Sequence, residues 1–366
     1  MSKEIIQKLA LLLLPGIGEQ SARFLVSKTS HWPEIFTQYW CEVEWENGKR
    51  KFQFQKKDID AALLEAEKEW EIYDKLGAQV AFFDDSNYPR RLKHCSDAPY
   101  RIFYQGNMNW NVNRTVSVVG TRKATSYGIA LTEKLIRELA PYNITLISGL
   151  AYGIDISAHK MALQMNVQNI GVLGSGLRNI YPQDHARLAE KMKANGGVIS
   201  EYFADAIPDR ENFPERNRIV AGMSDVVIVV EAGAKGGALI TADIATSYNR
   251  DVFAFPGRVG DSSSEGCLNY IKYNKAALIT SAADVAYFMQ WKLVEEERKP
   301  IQRNLFNNLS ELEEKLLSAI EVGKTLDMDA IAYQCGISVS MASSELLNLE
   351  FKGIIKSLPG KRYQLI

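Results

Sequence analysis

"VVIVVEAGAKGGALITADIA" runs from Val226 to Ala245. Five consecutive β-branched residues, Val226 to Val230, read as a strand buried on both faces, because such side chains suit a pleated surface and none here is polar. The run ends in Glu231 and empties into Gly233, Lys235, Gly236 and Gly237 before a helical pattern begins. A strand, a glycine-rich loop and a helix in that order form one unit of a parallel α/β sheet. Eight further apolar runs belong to the same pattern: 79–83, 101–105, 115–120, 144–148, 170–174, 197–200, 251–256 and 277–280. Helical segments such as "SYGIALTEKLIRELA" and "HARLAEKMKANG" fill most of the gaps from residue 126 on. The expectation is an α/β fold: a doubly wound, mostly parallel sheet covered by helices, with ligands at the carboxyl ends of its strands.

The 366 residues suggest two or three domains at ~150 residues each. Residues 1–76 read as a small helical domain, with an amphipathic helix ending at Gly77 and a hairpin signal at Asn47-Gly48. Residues 77–290 hold the sheet. Residues 291–309 are charged, contain Pro300 and read as a linker, and 310–366 follow a winged-helix layout. The 43 Lys and Arg balance 44 Asp and Glu, so a basic site has to be assembled locally by folding. Four scattered cysteines without metal spacing fit a reducing cytoplasm, and no stretch approaches the ~20 apolar residues of a membrane span.

The strand ends share one chemistry. "VGTRKATSYG" supplies Gly120, Arg122, Lys123 and Ser126; "SGLAYGID" supplies Gly149; "GSGLRNIYP" supplies Gly174, Ser175 and Gly176; and "EAGAKGGALIT" supplies Lys235, Gly236 and Gly237. Glycines let a ligand approach the backbone and leave N–H groups free, and a helix start behind each loop adds partial positive charge. With Arg122 and Lys235 as full charges, the set suits phosphate oxygens. "FPERNRIVAG" (213–222) adds Arg216 and Asn217, while Phe213 and Tyr181 are rings on which bases stack. Phosphate cradles with stacking platforms describe a binder of single-stranded nucleic acid.

Cofactor sites fit poorly. "GSGLRN" has Asn179 where a dinucleotide fingerprint needs its third glycine, and "EAGAKGGA" places its lysine ahead of the glycine pair rather than in a G-x-x-x-x-G-K-[ST] loop. Neither NAD nor ATP is expected, nor any other cofactor or metal. The four histidines share no motif with one another. Asp155 and His159, four residues apart on one helix face, read as a local ion pair rather than a catalytic pair. Glu231 reads as a general base or a hydrogen-bond partner. No catalytic residue is assigned.

Taken in order, "SVVGTRKATSYG", "SGLAYGIDISAHKMAL", "GSGLRNIYP", "FPERNRIVAGMSDVVIVVEAGAKGGALITADIA" and "DVFAFPG…EGCLNYI" resemble the DNA-processing protein A (DprA, or Smf) family, as do the flanking helix-hairpin-helix-like or SAM-like and winged-helix segments. The resemblance implies an extended Rossmann-like fold, a homodimer without enzymatic activity, and binding of single-stranded DNA. It also implies delivery of that DNA to the RecA recombinase in natural transformation. By motif it assigns binding to Arg122, Gly174, Gly176, Arg216, Asn217 and Lys235 to Gly237. This chain has Gly-Gly-Ala where the family commonly has Ser-Gly-Ser after the basic residue, so the expected contacts in that loop come from backbone. The alternative is a nucleotide phosphoribohydrolase of the lysine-decarboxylase-like group, whose P-G-G-x-G-T-x-x-E signature is not met by "EAGAKGGALITAD". In the winged helix, 338–352 carries Glu345 and Glu350 where readers of duplex DNA place basic or amide side chains. Its Leu346, Leu347, Leu349 and Phe351 are expected to face the domain core, leaving a protein contact as the domain's role.

Overall fold

The computed structural model describes residues 2–45, 48–293, 309–320, 325–352, 354–358 and 361–365. They fall into two compact units, Met1–Val294 and Glu295–Ile366. The first unit opens with helices Ser2–Leu11 and Glu19–Lys28 and the antiparallel hairpin β1 (Trp40–Trp45) and β2 (Gly48–Gln53), so the hairpin signal is realised. Helix Lys56–Lys75 follows, and then nine strands: β3 (Gln79–Phe82), β4 (Arg101–Asn107), β5 (Thr115–Val119), β6 (Thr145–Ser148), β7 (Gln168–Val172), β8 (Gly196–Ser200), β9 (Val226–Val229), β10 (Asp251–Ala254) and β11 (Ala277–Leu278). All nine apolar runs are strands of a single sheet, ordered β11-β10-β9-β5-β6-β7-β8-β4-β3. Only β4 runs antiparallel to its neighbours β8 and β3.

Why β9 is apolar throughout follows from its neighbours. Val226 and Ile228 join the core beneath helices Ser126–Leu139 and Ile154–Gln164. Val227 and Val229 join the opposite core, with Ile219 and Val220 of helix Asn212–Gly222 and Ala238 and Leu239 of helix Gly237–Ser247. With helices on both faces, neither side of the strand meets water. From β5 the chain winds outward through β6, β7 and β8, then returns to lay β9, β10 and β11 on the other flank of β5. The two windings diverge between β5 and β9, and loops leaving a sheet at such a point separate to form a crevice.

The N-terminal segment does not stand apart from the sheet. Leu9, Leu25, Ile59 and Tyr73 share one core with Phe103, Leu173 and Val198. The Tyr73 ring stacks on Phe103 at 4.0 Å, and its hydroxyl donates to the Tyr202 carbonyl at 2.9 Å. Gly16 takes a left-handed φ of +77° in the turn between the first two helices. Glu19, unfavourable for a phosphate-facing hairpin, accepts instead from the Tyr100 backbone N–H at 2.6 Å and Arg101 Nη1 at 2.9 Å. Lys8, 3% exposed, donates to Asp84 at 2.8 Å and Asp85 at 3.1 Å. Burial opposes its charge, and the two carboxylates more than offset this, holding the ammonium above its ordinary pKa.

The expected linker lies largely outside the described residues. Its first residue, Trp291, packs against the core above β5 and β9. In the second unit, helices Glu311–Ala319, Met328–Cys335 and Val339–Phe351 pack on a sheet ordered β12-β14-β13, where β12 is Leu326–Asp327, β13 is Ile355–Leu358 and β14 is Arg362–Leu365. Ser310, Asp327 and Ser338 cap the three helices. One expectation fails. Leu346 and Leu349 are buried, but Leu347 is 50% and Phe351 81% exposed. The helical period turns 347 and 351 to the face opposite 342, 346 and 349, so the apolar stripe is split between core and solvent. Among the described residues no helix is long and apolar enough to cross a membrane.

Replacing Lys8 with alanine leaves Asp84 and Asp85 without their shared cation. The expected outcome is a loss of about 2 kcal/mol, read as a lower urea midpoint with an unchanged m-value.

Candidate nucleic-acid interface

The divergence of β5 and β9 opens a cleft of about 530 Å³ at the carboxyl edge of the sheet, lined among others by Thr121, Arg122, Gly149, Asp155, Arg210, Phe213, Arg216, Asn217 and Lys235 to Gly237. Its framework is Glu231, at the end of β9. The buried Glu231 carboxylate accepts from the Thr125 backbone N–H at 2.8 Å and from Thr125 Oγ1 at 2.7 Å. Its carbonyl accepts from the Thr121 N–H at 2.7 Å. Thr125 then caps helix Ser126–Leu139, with Gly128 N–H donating to its hydroxyl at 3.1 Å. A Cβ on Gly128 would lie 2.6 Å from Glu231 Oε2, which requires glycine there. Both oxygens of Glu231 are engaged, so the residue acts as a hydrogen-bond partner that shapes the β5 turn.

Clamped in this way, the β5 loop carries Arg122 outward. Its guanidinium sits 4.9 Å from the centre of the Phe213 ring. Arg122, Arg210 and Lys235 are exposed, and none makes an ion pair among the described residues. Gly236 is the N-cap of helix Gly237–Ser247 and offers no side chain, and a Cβ on Gly237 would meet nothing within 4 Å. No side chain caps that helix, and an uncapped helix N-terminus is an arrangement that receives a phosphate. Beside the cleft, Tyr152, Tyr181, Pro182 and Phe213 enclose a smaller recess shared with Arg122 and Arg216, and the Tyr181 and Phe213 rings lie 5.7 Å apart.

Arg216 occupies the floor, 4% exposed. Its Nη1 donates to the Gly149 and Val172 carbonyls at the ends of β6 and β7, and its Nε to Asn217 Oδ1 at 3.2 Å. A Cβ on Gly149 would fall 2.7 Å from the guanidinium. Burial lowers the Arg216 pKa to about 10; Asp155 opposes the shift and Arg122 adds to it. Asp155 accepts from the Gly149 N–H at 3.1 Å and the Ala151 N–H at 3.4 Å. Burial raises its pKa against the pull of Arg216. The expected ion pair between Asp155 and His159 is not formed. His159 is fully buried against Asn169 Oδ1 at 2.5 Å, and burial lowers its pKa to about 4, so it is neutral at pH 7.

The structure brings Gly120, Arg122, Gly149, Phe213, Arg216, Asn217, Lys235, Gly236 and Gly237 to the cleft wall. Lys123 and Ser126 are exposed beyond its lining. Gly174, Ser175 and Gly176 support it from behind: a Gly174 Cβ would lie 3.1 Å from Phe213, and Ser175 Oγ donates to the Asn179 carbonyl at 2.6 Å. Arg210, which also lines the cleft, was not singled out in the sequence. Arg210 sits in the charged run "DRENFPERN", where nothing local separates it from a solvated surface residue. Arg218, on the same helix as Arg216, turns away from the cleft to pair with the buried Glu201. Burial raises the Glu201 pKa to about 7, against the pull of Arg218.

A doubly wound α/β sheet whose switch-point cleft combines exposed cations, a helix N-terminus without a side-chain cap and aromatic rings has the chemistry to receive phosphates. The family described as DNA recombination-mediator protein A matches residues 79–290, and the DprA winged helix domain matches 305–361. Protein Smf of Escherichia coli is 34% identical over 340 residues, 92% of this chain and 88% of its own. DNA processing protein DprA of Streptococcus pneumoniae is 41% identical over 201 residues, 55% of this chain and 71% of its own. Its X-ray structure superposes with a TM-score of 0.58 over 65% of this chain and 83% of that one, at 34% identity. DNA processing protein A of Helicobacter pylori, whose structure concerns its single-stranded DNA binding mode, gives a TM-score of 0.53 over 58% of this chain and 98% of that one, at 28% identity. The chain belongs to the DprA/Smf family of DNA-processing recombination mediators.

Glu201 generates a pH prediction. Its pKa is higher in the folded protein than the ordinary 4.5, so the folded state binds more protons between about pH 4.5 and 7. Its contribution to stability is present below that window and is lost as pH rises through it. Chemical denaturation of Glu201→Gln across pH 4.5 to 8 is expected to show a flatter profile than the parent protein in that window; parallel profiles rule Glu201 out as the titrating group.

Proposed function

We propose that the cleft binds the backbone phosphates of single-stranded DNA, with bases stacked on Phe213 and Tyr181, and that the protein delivers this strand to the RecA recombinase as a homodimer and without catalysis of its own. The observation that carries the proposal is the separation of charges. Arg216 is buried and held by carbonyls, whereas Arg122, Lys235 and Arg210 line the cleft, exposed and with no ion pair among the described residues. Cations left unpaired beside bare N–H groups suit a polyanion whose charges recur along a chain. Rings beside them suit exposed bases, which a duplex keeps stacked inside. The single-stranded DNA binding reported for the Helicobacter pylori relative supports the same ligand. The phosphoribohydrolase alternative needs a carboxylate after the glycine loop to act on ribose, and the nearest acid, Asp243, accepts from Tyr270 Oη at 2.7 Å and Lys275 Nζ at 3.1 Å; free base released from nucleoside monophosphates would be its signature.

Titration with single-stranded oligonucleotides at several salt concentrations tests the proposal. Arg122→Ala and Lys235→Ala are each expected to weaken binding and to reduce the log–log salt slope by about 0.7 per lost phosphate contact. Unchanged affinity and slope in both variants would exclude the cleft.

The winged helix is expected to contribute little. Helix Val339–Phe351 exposes Val339, Met341, Leu347 and Phe351, and its only charges are Glu345 and Glu350. A fragment spanning 310–366, which has its own core, should bind random duplex at low salt no tighter than ~10⁻⁴ M. Micromolar, sequence-selective binding would make it a second DNA site.

A further inference from the structure

The cleft is not the only place on this edge of the sheet where an arginine covers an exposed ring. Tyr127, 47% exposed, is the second residue of helix Ser126–Leu139, and the Arg258 guanidinium lies 6.0 Å from the centre of its ring. Arg258 follows β10 by way of Gly257, whose left-handed φ of +63° and contact with Ser264 leave no room for a side chain. Its loop leans on the β9 loop, since a Cβ on Gly233 would lie 3.3 Å from the Ser262 carbonyl. In the sheet β9 lies between β5 and β10. The contact between Tyr127 and Arg258 thus joins the turn after β5 to the turn after β10, across the loop that carries Lys235.

Three features set this pair apart from an incidental surface contact. Among the described residues the Arg258 guanidinium has no ion pair or hydrogen bond, its carbonyl alone accepting from the Asp261 N–H at 3.1 Å, and the Tyr127 hydroxyl has no hydrogen bond, so each polar group is available to a ligand. Asp261, the acid nearest in sequence, is occupied by the Ser263 N–H at 2.9 Å. Finally, the β5 turn contributes to both arginine–ring contacts, Arg122 with Phe213 at 4.9 Å and Tyr127 with Arg258 at 6.0 Å, and in sequence the exposed Lys123 lies between Arg122 and Tyr127. A ring capped by a guanidinium offers a stacking surface and a phosphate contact together.

We propose that Tyr127 and Arg258 form a second stacking step for a single strand, over which the strand leaves the cleft across the β5 turn toward the end of β10. The proposal rests on the cleft being the site of single-strand binding. The strand passes from Phe213 and Arg122 to Lys123 and on to Tyr127, where a base lies against the ring and Arg258 meets the next phosphate. A short oligonucleotide fills the cleft alone, while a longer one reaches the second step.

The test compares oligothymidylates of about four and about sixteen nucleotides, the span of known single-strand site sizes, on the full chain and on Tyr127→Ala, Tyr127→Phe, Arg258→Ala and Arg122→Ala. Loss of one stacked base should weaken the long ligand roughly five- to hundredfold in Tyr127→Ala and leave the short one unchanged. Tyr127→Phe should bind both like the parent, because the ring and not the hydroxyl acts. Arg258→Ala should lower the salt slope by about 0.7 for the long ligand only. If Arg122→Ala weakens both lengths while the Tyr127 and Arg258 variants match the parent, the cleft stands and the second step falls. If Arg122→Ala changes neither length, the cleft assignment falls and the step with it. Equal weakening of both lengths in Tyr127→Ala with a lower melting temperature, or a change in oligomeric state, would assign the pair to packing or to contact between subunits and overturn the proposal.

Discussion

A carboxylate buried at the end of a strand must find donors, and the way Glu231 finds them determines the shape of the site. An unsatisfied buried charge costs several kcal/mol, so the β5 turn is drawn back until the Thr125 N–H and hydroxyl reach both oxygens. The consequences propagate. Thr121 is pinned to the Glu231 carbonyl, Thr125 becomes a helix cap, and Gly128 is compressed against the carboxylate. Arg122, between the two anchored threonines, is pushed out over Phe213. The acid that follows the apolar strand β9 is therefore what presents a cation to the cleft.

Below that rim the cleft is close to neutral. Arg216 and Asp155 are buried together, each shifted toward its uncharged form by burial and held back by the other. Arg216 also closes the carbonyl ends of β6 and β7. Removing Arg216 or Asp155 would take away the opposite charge that offsets the burial of the other, leaving only its backbone partners. Positive potential therefore arises at the rim, from Arg122, Arg210 and Lys235, and the chain as a whole remains at a net charge of −1. A neutral protein with a local basic edge gains attraction for a polyanion without the self-repulsion of a uniformly basic surface.

The flanking segments differ in how they attach. The N-terminal helices share their core with the sheet and are fastened by the buried Lys8 and by Glu19, so they belong to the same folded body as the cleft. The winged helix has a separate core. The face that would meet a major groove carries Val339, Leu347 and Phe351 and no cation, which suits an apolar partner better than a phosphate backbone.

How much of this was legible in the sequence differs by level. Every strand of the large sheet was visible as an apolar run; at its centre both faces are buried, so 226–229 is apolar at every position and 115–119 admits only Thr115 and Ser117, whose hydroxyls are hydrogen-bonded. The glycine-rich strand ends were equally visible, because a backbone approached by a ligand or by another chain segment excludes side chains. The sequence could not separate those two causes. Gly236 and Gly237 face open space, while Gly174 and Gly176 are pressed against Phe213 and the carbonyls of 203 and 204, yet all four read alike. Nor could it show that Arg216 lies buried, that Arg218 turns away to Glu201, or that Arg210 reaches the rim. Local sequence determined the elements and the chemistry available at their ends. Which charges face one another across the cleft was decided only when β9 took its place beside β5, because that pairing joins residues more than 100 positions apart, and no local pattern records which loops it brings together.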